Sequence, residues 1–368
     1  MTAPILREVP VCDVRDGGPL RHAVEASDRA RALRDDCLAW FPKRARHLVP
    51  LLDSITRRWL TRSCSPYVVE IAAIAGALEF PGVWFLNGSY EWGCTTLARD
   101  DDAPSSAPWL VRTLDWPFPG LGLHVEVAHM RGAAGDFYNV TWPGFAGVLT
   151  GMAPGRFAAA VNQAPLWRRT QHPWLRPYDM MANAVATWSI HDIPPNQLLR
   201  QVFETCADFA EAKRVLETTP IARPVIYTLA GCRSGERCVI ERTEREHLTR
   251  VEETSAANDW LIRRDFWEAR VGGDQLFRAS PTEAGGNSKL RREALAAWTA
   301  PFGNGFDWVA PPVLNPMTRI AVEMCAAQGV LRVAGYEKYP ENEFPVTVTR
   351  TRVIAPTADT PREVVAAL

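Results

Sequence analysis

The sequence predicts an α+β fold built as four layers, α-β-β-α, with a mostly helical segment ahead of it. Three observations predict this. Helical periodicity fills residues 26–78, short β-rich segments fill residues 94–162, and helical, strand and again helical patterns follow to about Trp298. Strand runs therefore lie between helix runs, an order that also admits a simpler α+β sandwich.

In chain order, residues 1 to about 20 are rich in Pro, Gly and charge and read as a loose arm. Leu33, Cys37, Leu38 and Phe41, then Leu48, Leu51, Leu52, Ile55 and Leu60, recur at helical spacing and predict two or three helices covering one face of the strand region downstream. Pro81-Gly82 ends that pattern and begins an extended run through Val83, Phe85 and Asn87. Strands are predicted over Cys94–Ala98, Trp109–Trp116, His124–Met130, Phe137–Trp142 and Phe157–Asn162, separated by Gly, Pro and Asp turns. Helices follow over Leu175–Ser189, Asn196–Cys206 and Phe209–Glu217. Three more strands come next, Val225–Ala230, Arg237–Arg242 and Leu248–Glu252, before the last helical region. No internal repeat or long low-complexity tract interrupts the series.

The 368 residues, 47% hydrophobic and 23% charged, suffice for a large core in one large domain or two. A net charge of -1 without long single-sign runs gives no electrostatic footprint for nucleic acid or anionic lipid. The pairs Arg168-Arg169, Arg263-Arg264 and Arg291-Arg292 read as solvated helix faces. The N-terminus, Met-Thr-Ala-Pro-Ile-Leu-Arg-Glu, carries no legible secretory signal. The most apolar stretch, Ile71–Leu78, is too short to span a bilayer. Eight cysteines without a short regular framework fit a reducing compartment. The expectation is a cytoplasmic protein with no integral membrane segment, in which the sequons at Asn87 and Asn139 go unused.

Cys94 is the most informative residue. It stands in Asn87-Gly-Ser-Tyr-Glu-Trp-Gly-Cys94-Thr-Thr, and Val111-Arg112-Thr-Leu-Asp115 follows on the next strand. A cysteine opening a strand, with Arg and Asp on its hairpin partner, reads as a nucleophile with its charge environment built in. With this motif, with Trp142-Pro-Gly-Phe-Ala-Gly through Phe157 downstream, and with Pro311-Pro-Val-Leu-Asn315-Pro-Met-Thr318 near the end, the chain resembles the N-terminal-nucleophile linear amide hydrolases. The branch is that of acid ceramidase and N-acylethanolamine-hydrolysing acid amidase, and the matching pieces lie in family order from about residue 66 to about residue 335.

The resemblance implies self-cleavage before Cys94, giving a helical pro-segment, 1–93, and a catalytic domain, 94–368, that stay associated. It implies hydrolysis of a linear amide, an N-acyl amide with an apolar acyl group, through a Cys94 thioester, with no metal or organic cofactor. By the same resemblance Arg112 lowers the thiol pKa, Asp115 holds the freed α-amine, Asn258 and Asn162 serve the oxyanion, and Arg291 is a second site arginine. Arg292 and Arg270 compete for that last place.

Taken by themselves, Arg112 and Asp115 are three apart on one strand. Strict alternation puts them on opposite faces, so a bulge or strand end must re-aim one if both serve the cysteine. Asn258 also reads as a cap near the start of a helix. The α-amine of an N-terminal cysteine supplies a base that the seven scattered histidines do not obviously provide, although the fold can still assemble a Cys/His dyad.

One departure stands out. The acid ceramidase branch carries Asn-Glu-Arg where this chain has Asn162-Gln163-Ala164, which argues for a near-neutral optimum. Walker, His-Glu-x-x-His and Gly-x-Ser-x-Gly motifs are absent, and Cys232 and Cys238 read as inert thiols of a hairpin. Trp116, Phe118, Trp142 and Phe145 cluster around the catalytic hairpin as candidates for an acyl pocket. Two alternatives remain at this level: an acyltransferase passing the acyl group to an amine, and an unprocessed, non-catalytic binding protein.

Overall fold

A computed structural model describes residues 6–89, 93–101, 106–170, 172–261, 267–268 and 281–356. The chain opens with β1 (Val11–Asp13) and five helices, α1 (Gly18–Glu25), α2 (Ser27–Leu38), α3 (Val49–Leu60), α4 (Val68–Leu78) and α5 (Val83–Gly88). Seven strands follow: β2 (Gly93–Asp100), β3 (Pro108–Asp115), β4 (Glu126–Gly132), β5 (Gly135–Thr141), β6 (Thr150–Ala153), β7 (Phe157–Gln163) and β8 (Leu166–Trp167). Then come α6 (Arg176–Ser189), α7 (Pro195–Thr205), α8 (Phe209–Thr218), β9 (Val225–Ala230), β10 (Arg237–Arg242), β11 (His247–Arg250), β12 (Ser255–Ala256) and β13 (Trp267–Glu268). The series closes with α9 (Pro281–Ala296), β14 (Thr318–Cys325), β15 (Val330–Glu337), β16 (Val346–Thr347) and β17 (Arg352–Ile354).

Apart from a separate two-stranded sheet in which β8 pairs with β13, two large sheets result, one ordered β1-β4-β5-β6-β7-β9-β10-β11 and the other β12-β2-β3-β14-β15-β16, with β17 also on β15. Their inner faces share the main core, where Leu110 and Leu114 of β3 meet Ala158 and Ala160 of β7 and Tyr227 of β9. Helices α7 and α8 cover the far side of the first sheet, and α9 lies on β2 and β12 of the second. This is a four-layer α-β-β-α sandwich. The helices ahead of β2 form a smaller core of their own, in which Trp59, Ile71, Ile74 and Trp84 pack against Ala146 and Ala222 of the sandwich.

Two expectations need correction, and two strands were not anticipated. The arm before residue 20 is not loose from Val9 onward: Val9 and Val14 are fully buried, β1 pairs parallel with β4, and Arg7 is bonded to the backbone of Val348 and Arg350. A three-residue strand shows no period, so its charged neighbours dominated the composition. The run from Val83 to Asn87 is helical, because Gly82 takes φ 116° and Asp53 of α3 accepts the Phe85 N–H at 2.9 Å, capping α5 from outside. Asn87 is buried, its amide donating to Val83 and Gly144 oxygens and accepting from Ala146 N. Finally, β14 and β15 escaped notice because β14 is buried on both faces, which erases the two-residue alternation.

Candidate active site

Cys94 is the second residue of β2, in register with Leu114 of β3, while Gly93 faces Asp115 and Thr96 faces Arg112. On the other edge of β2, the short β12 pairs only with Leu97 and Thr96. The chain then continues past β12, and the Asn258 side chain takes up the next bond: its Oδ1 accepts the Cys94 N–H at 3.0 Å.

Alternation in β3 places Leu110, Arg112 and Leu114 on the inner face and Trp109, Val111 and Asp115 on the side of α9. Arg112 is thereby the diagonal neighbour of Cys94, and its Nη2 donates to Sγ at 2.6 Å. Its Nη1 is anchored on the Leu149 oxygen at 2.9 Å and Thr150 Oγ1 at 2.5 Å. Arg112 reaches the thiol by plain alternation, with no bulge in β3, and Asp115, the residue at the end of the strand, lies on the other face beside Arg291. A register shift does occur here, on the facing strand between Thr318 and Ile320, and it brings Thr318 Oγ1 to Asp115 Oδ1 at 2.9 Å.

The outer face is organised by Arg291. From α9 it donates to the Cys94 carbonyl at 2.6 Å, to Thr95 Oγ1 at 2.7 Å and to Asn258 Oδ1 at 3.0 Å, and it stands 3.6 Å from Asp115 Oδ2. Asp115 Oδ2 is buried and has no hydrogen-bond partner among the described residues. The Asn258 amide spends one N–H on the Gln163 oxygen at 2.9 Å, leaving its second for another acceptor.

Asn162, at the end of β7, reaches Thr96 Oγ1 and the carbonyls of Ala256 and Ala257, bracing the stretch that carries Asn258. Arg291 and Arg292 are both buried rather than solvated, as is Arg168, which is paired with Asp179. Arg292 points away from Cys94, onto Glu253 and Asp259. Arg270 and the pair Arg263-Arg264 lie outside the described residues. Asn258 follows a strand, not a helix start. Thr150 and Thr318 lie inside the stretches that carry the resemblance, yet neither they nor the Gln163 carbonyl were assigned to the site, since each meets it through a non-local pairing.

The continuous chain seals the thiol. Burial pushes the Cys94 pKa up to about 11, outweighing Arg112 and Arg291, which pull it down, while Asp115 adds to the rise. Arg112 is itself fully buried, and burial lowers its pKa. Among the described residues no carboxylate lies within ion-pair distance of it, so a thiolate at Cys94 is its natural counter-charge. No histidine of the described residues hydrogen-bonds Cys94: His22, His124 and His129 serve Glu126, Asp36 and Asp136 instead.

One group of metal-ligand composition is present among the described residues, Cys12, His22 and Glu126. The Arg29 guanidinium already occupies both Glu126 oxygens, so the group is an ion pair with its charge met. Cys232 and Cys238 sit at a β9–β10 turn and are free thiols.

An apolar groove of about 680 Å³, open mouth included, runs between the helical segment and the loop after β3. Leu33, Phe41, Leu78, Phe80, Phe85 and Leu86 form one wall and Trp116, Phe118 and Leu121 the other, with Ser89 at the end nearest the Gly93-Cys94 bond in sequence. Trp142 and Phe145 are buried in the main core behind it, Trp142 edge-on to Trp116.

The layers form a four-layer α-β-β-α sandwich with a cysteine at the head of a strand, contacted on both faces. In sequence the chain is similar to acid ceramidases and to N-acylethanolamine-hydrolysing acid amidases. It is 25% identical to acid ceramidase of Heterocephalus glaber, over 58% of this chain and 57% of that protein. It is 26% identical to the N-acylethanolamine-hydrolyzing acid amidase of Cavia porcellus, over 65% and 62%, and 28% identical to acid ceramidase of Macaca fascicularis, over 69% and 65%. The matches thus span about three-fifths of these curated relatives. Among solved structures, the Caenorhabditis elegans N-acylethanolamine-hydrolyzing acid amidase ortholog aligns with TM-score 0.46 and 16% identity, over 64% of this chain and 93% of that one. A conjugated bile acid hydrolase from Clostridium perfringens aligns with TM-score 0.36 and 10% identity, over 72% and 97%. No protein-family profile matches the chain. Among the described residues no helix is long and apolar enough to cross a membrane.

Proposed function

We propose that this chain is a self-processing cysteine amidase that hydrolyses N-acyl amides with apolar acyl groups. The observation that carries the reading is the two-sided hold on Cys94: Arg112 at the sulfur, and Asn258 and Arg291 at the nitrogen and carbonyl of the same residue. A structural cysteine needs neither.

Processing starts with attack of the Cys94 sulfur on the Gly93 carbonyl, passing the acyl group from nitrogen to sulfur; water then frees residues 1–93. Cys94 N, until then a peptide nitrogen with one N–H on Asn258, becomes an amine with further N–H bonds and a positive charge when protonated. Asp115 Oδ2, the buried oxygen without a hydrogen-bond partner, is a ready acceptor for them. In turnover the amine takes the thiol proton, the thiolate attacks the substrate carbonyl, and the second Asn258 N–H stabilises the oxyanion. Collapse expels the substrate amine with the proton held at the α-ammonium, and water resolves the thioester by the reverse route.

The substrate's acyl group belongs in the groove of Trp116, Phe118, Phe41 and Phe80. Burial there is worth about 0.8 kcal/mol per methylene, or up to about fourfold in binding. Catalytic efficiency on a fluorogenic N-acyl amide series should climb with each added carbon until the groove is full. Gln163, with no carboxylate at that position, favours an optimum near neutral pH. Acid-quenched turnover followed by mass measurement of the 94–368 fragment should show a mass increment of one acyl group, absent in Cys94→Ala. No acyl adduct, or a preference for short polar acyl groups, contradicts the lipid-amide reading.

A further inference from the structure

Asn258 sits on a stretch with little ladder to hold it. Its strand, β12, is two residues long, and Ala257 to Leu261 is irregular. Beside the neutral brace of Asn162, charged side chains restrain it. Arg250 donates to the Ser255 oxygen at 3.1 Å and to the Glu253 oxygen, and its Nε is fixed by Glu241 at 3.0 Å. Glu241 also accepts the Leu261 N–H at 3.2 Å. Arg292 donates to Glu253 Oε1 at 2.8 Å and lies 3.6 Å from Asp259 Oδ2, so it grips the stretch on both sides of Asn258.

We propose that Arg292 and Asp259 are positioning residues for Asn258, keeping its amide in line with Cys94; this rests on the amidase reading above. Arg291 and Arg292 are consecutive on α9. The first enters the site and touches Asn258 Oδ1, and the second holds the neighbouring Asp259. One helix therefore sets both the cationic side of the site and the loop that faces it, and a slip between helix and loop alters both at once. The side chains of Arg292 and Asp259 are 8% and 16% exposed, so their attraction is poorly screened. Burial raises the Asp259 pKa against the pull of Arg292 and Arg291, so removing Arg292 leaves a carboxylate that costs more to keep charged.

The test uses the full chain with selective ¹⁵N-asparagine labelling, the Asn258 side-chain amide being assigned by its absence in Asn258→Asp. Arg292→Gln and Asp259→Asn should each speed hydrogen exchange at that amide by at least about tenfold, with Arg292→Lys retaining protection. In kinetics on an N-acyl amide, Arg292→Gln should lower kcat about tenfold with KM unchanged. Combined with Asn258→Ala it should add no further loss, as expected of residues acting through one another. Unchanged exchange in Arg292→Gln, losses that multiply in the double variant, or a rise in KM alone would overturn the proposal. A wild-type chain that shows no amidase activity, yet loses exchange protection in Arg292→Gln, removes the amidase reading and leaves the positioning role standing.

Discussion

At the scale of single residues, the contest at Cys94 is between burial and charge. In the continuous chain burial wins and holds the thiol near 11, so only a small thiolate fraction exists at neutral pH. The deprotonated form is the nucleophile, and its fraction grows about tenfold per pH unit below the pKa. Self-cleavage should therefore accelerate about tenfold per unit from pH 6 to 8, read by gel densitometry of freshly purified chain; acceleration on acidification would contradict it. The proposed processing would give residue 94 its own amine and leave Arg112, whose Nη2 lies 2.6 Å from the sulfur, to favour the thiolate. In processed material Arg112→Ala should raise the Cys94 pKa and slow iodoacetamide alkylation at neutral pH, and Arg112→Lys should retain part of the rate. Equal alkylation across pH in wild type and Arg112→Ala would make the arginine purely structural. Cys94, Arg112 and Asp115 were legible because they sit on one hairpin, whereas Thr318 and the Gln163 carbonyl reach the site through pairings far apart in the chain.

At the scale of elements, the helical segment must remain bound to the sandwich if its bond to β2 is cut. Beside the apolar contacts, a largely buried polar cluster between the start of α4 and α7 ties it down. Arg200 pairs with Glu70 and with Glu204 at 2.8 Å, lies 4.0 Å over the Tyr67 ring, and donates to the Ala146 oxygen at 3.0 Å. Tyr67 closes the ring on Glu204 at 2.6 Å. Breaking a buried pair by removing one partner costs about 3–5 kcal/mol. Arg200→Met should therefore lower the melting temperature and let the two fragments separate on size exclusion, while wild-type fragments co-elute; co-elution of Arg200→Met at unchanged melting temperature would assign the association to the apolar contacts alone. The helices of this segment were readable from their spacing. Its ends were not, because β1 is too short to show alternation and α5 takes its cap from Asp53, thirty-two residues upstream.

At the scale of the whole molecule, the two sheets give Cys94 two distinct surroundings. The inner face supplies a desolvated cation for the sulfur, and on the other side an amide and a second cation hold the main chain, with the Asp115 carboxylate beside that cation. The groove forms where the helical segment meets the loop after β3, so both parts of the chain are needed to make it. Helix and strand alternation along the sequence was enough to suggest the layers. Which sheet each strand joined was not, since the order β12-β2-β3-β14 draws neighbours from opposite ends of the chain.

The most direct test of self-processing at Cys94 is the denatured mass of purified wild type beside Cys94→Ala, with N-terminal sequencing of the larger fragment. Two fragments meeting at Gly93-Cys94 in wild type, a larger fragment beginning Cys-Thr-Thr, and one intact chain in Cys94→Ala are the expected result. An intact wild-type chain, cleavage at another bond, or cleavage that persists in Cys94→Ala would contradict it.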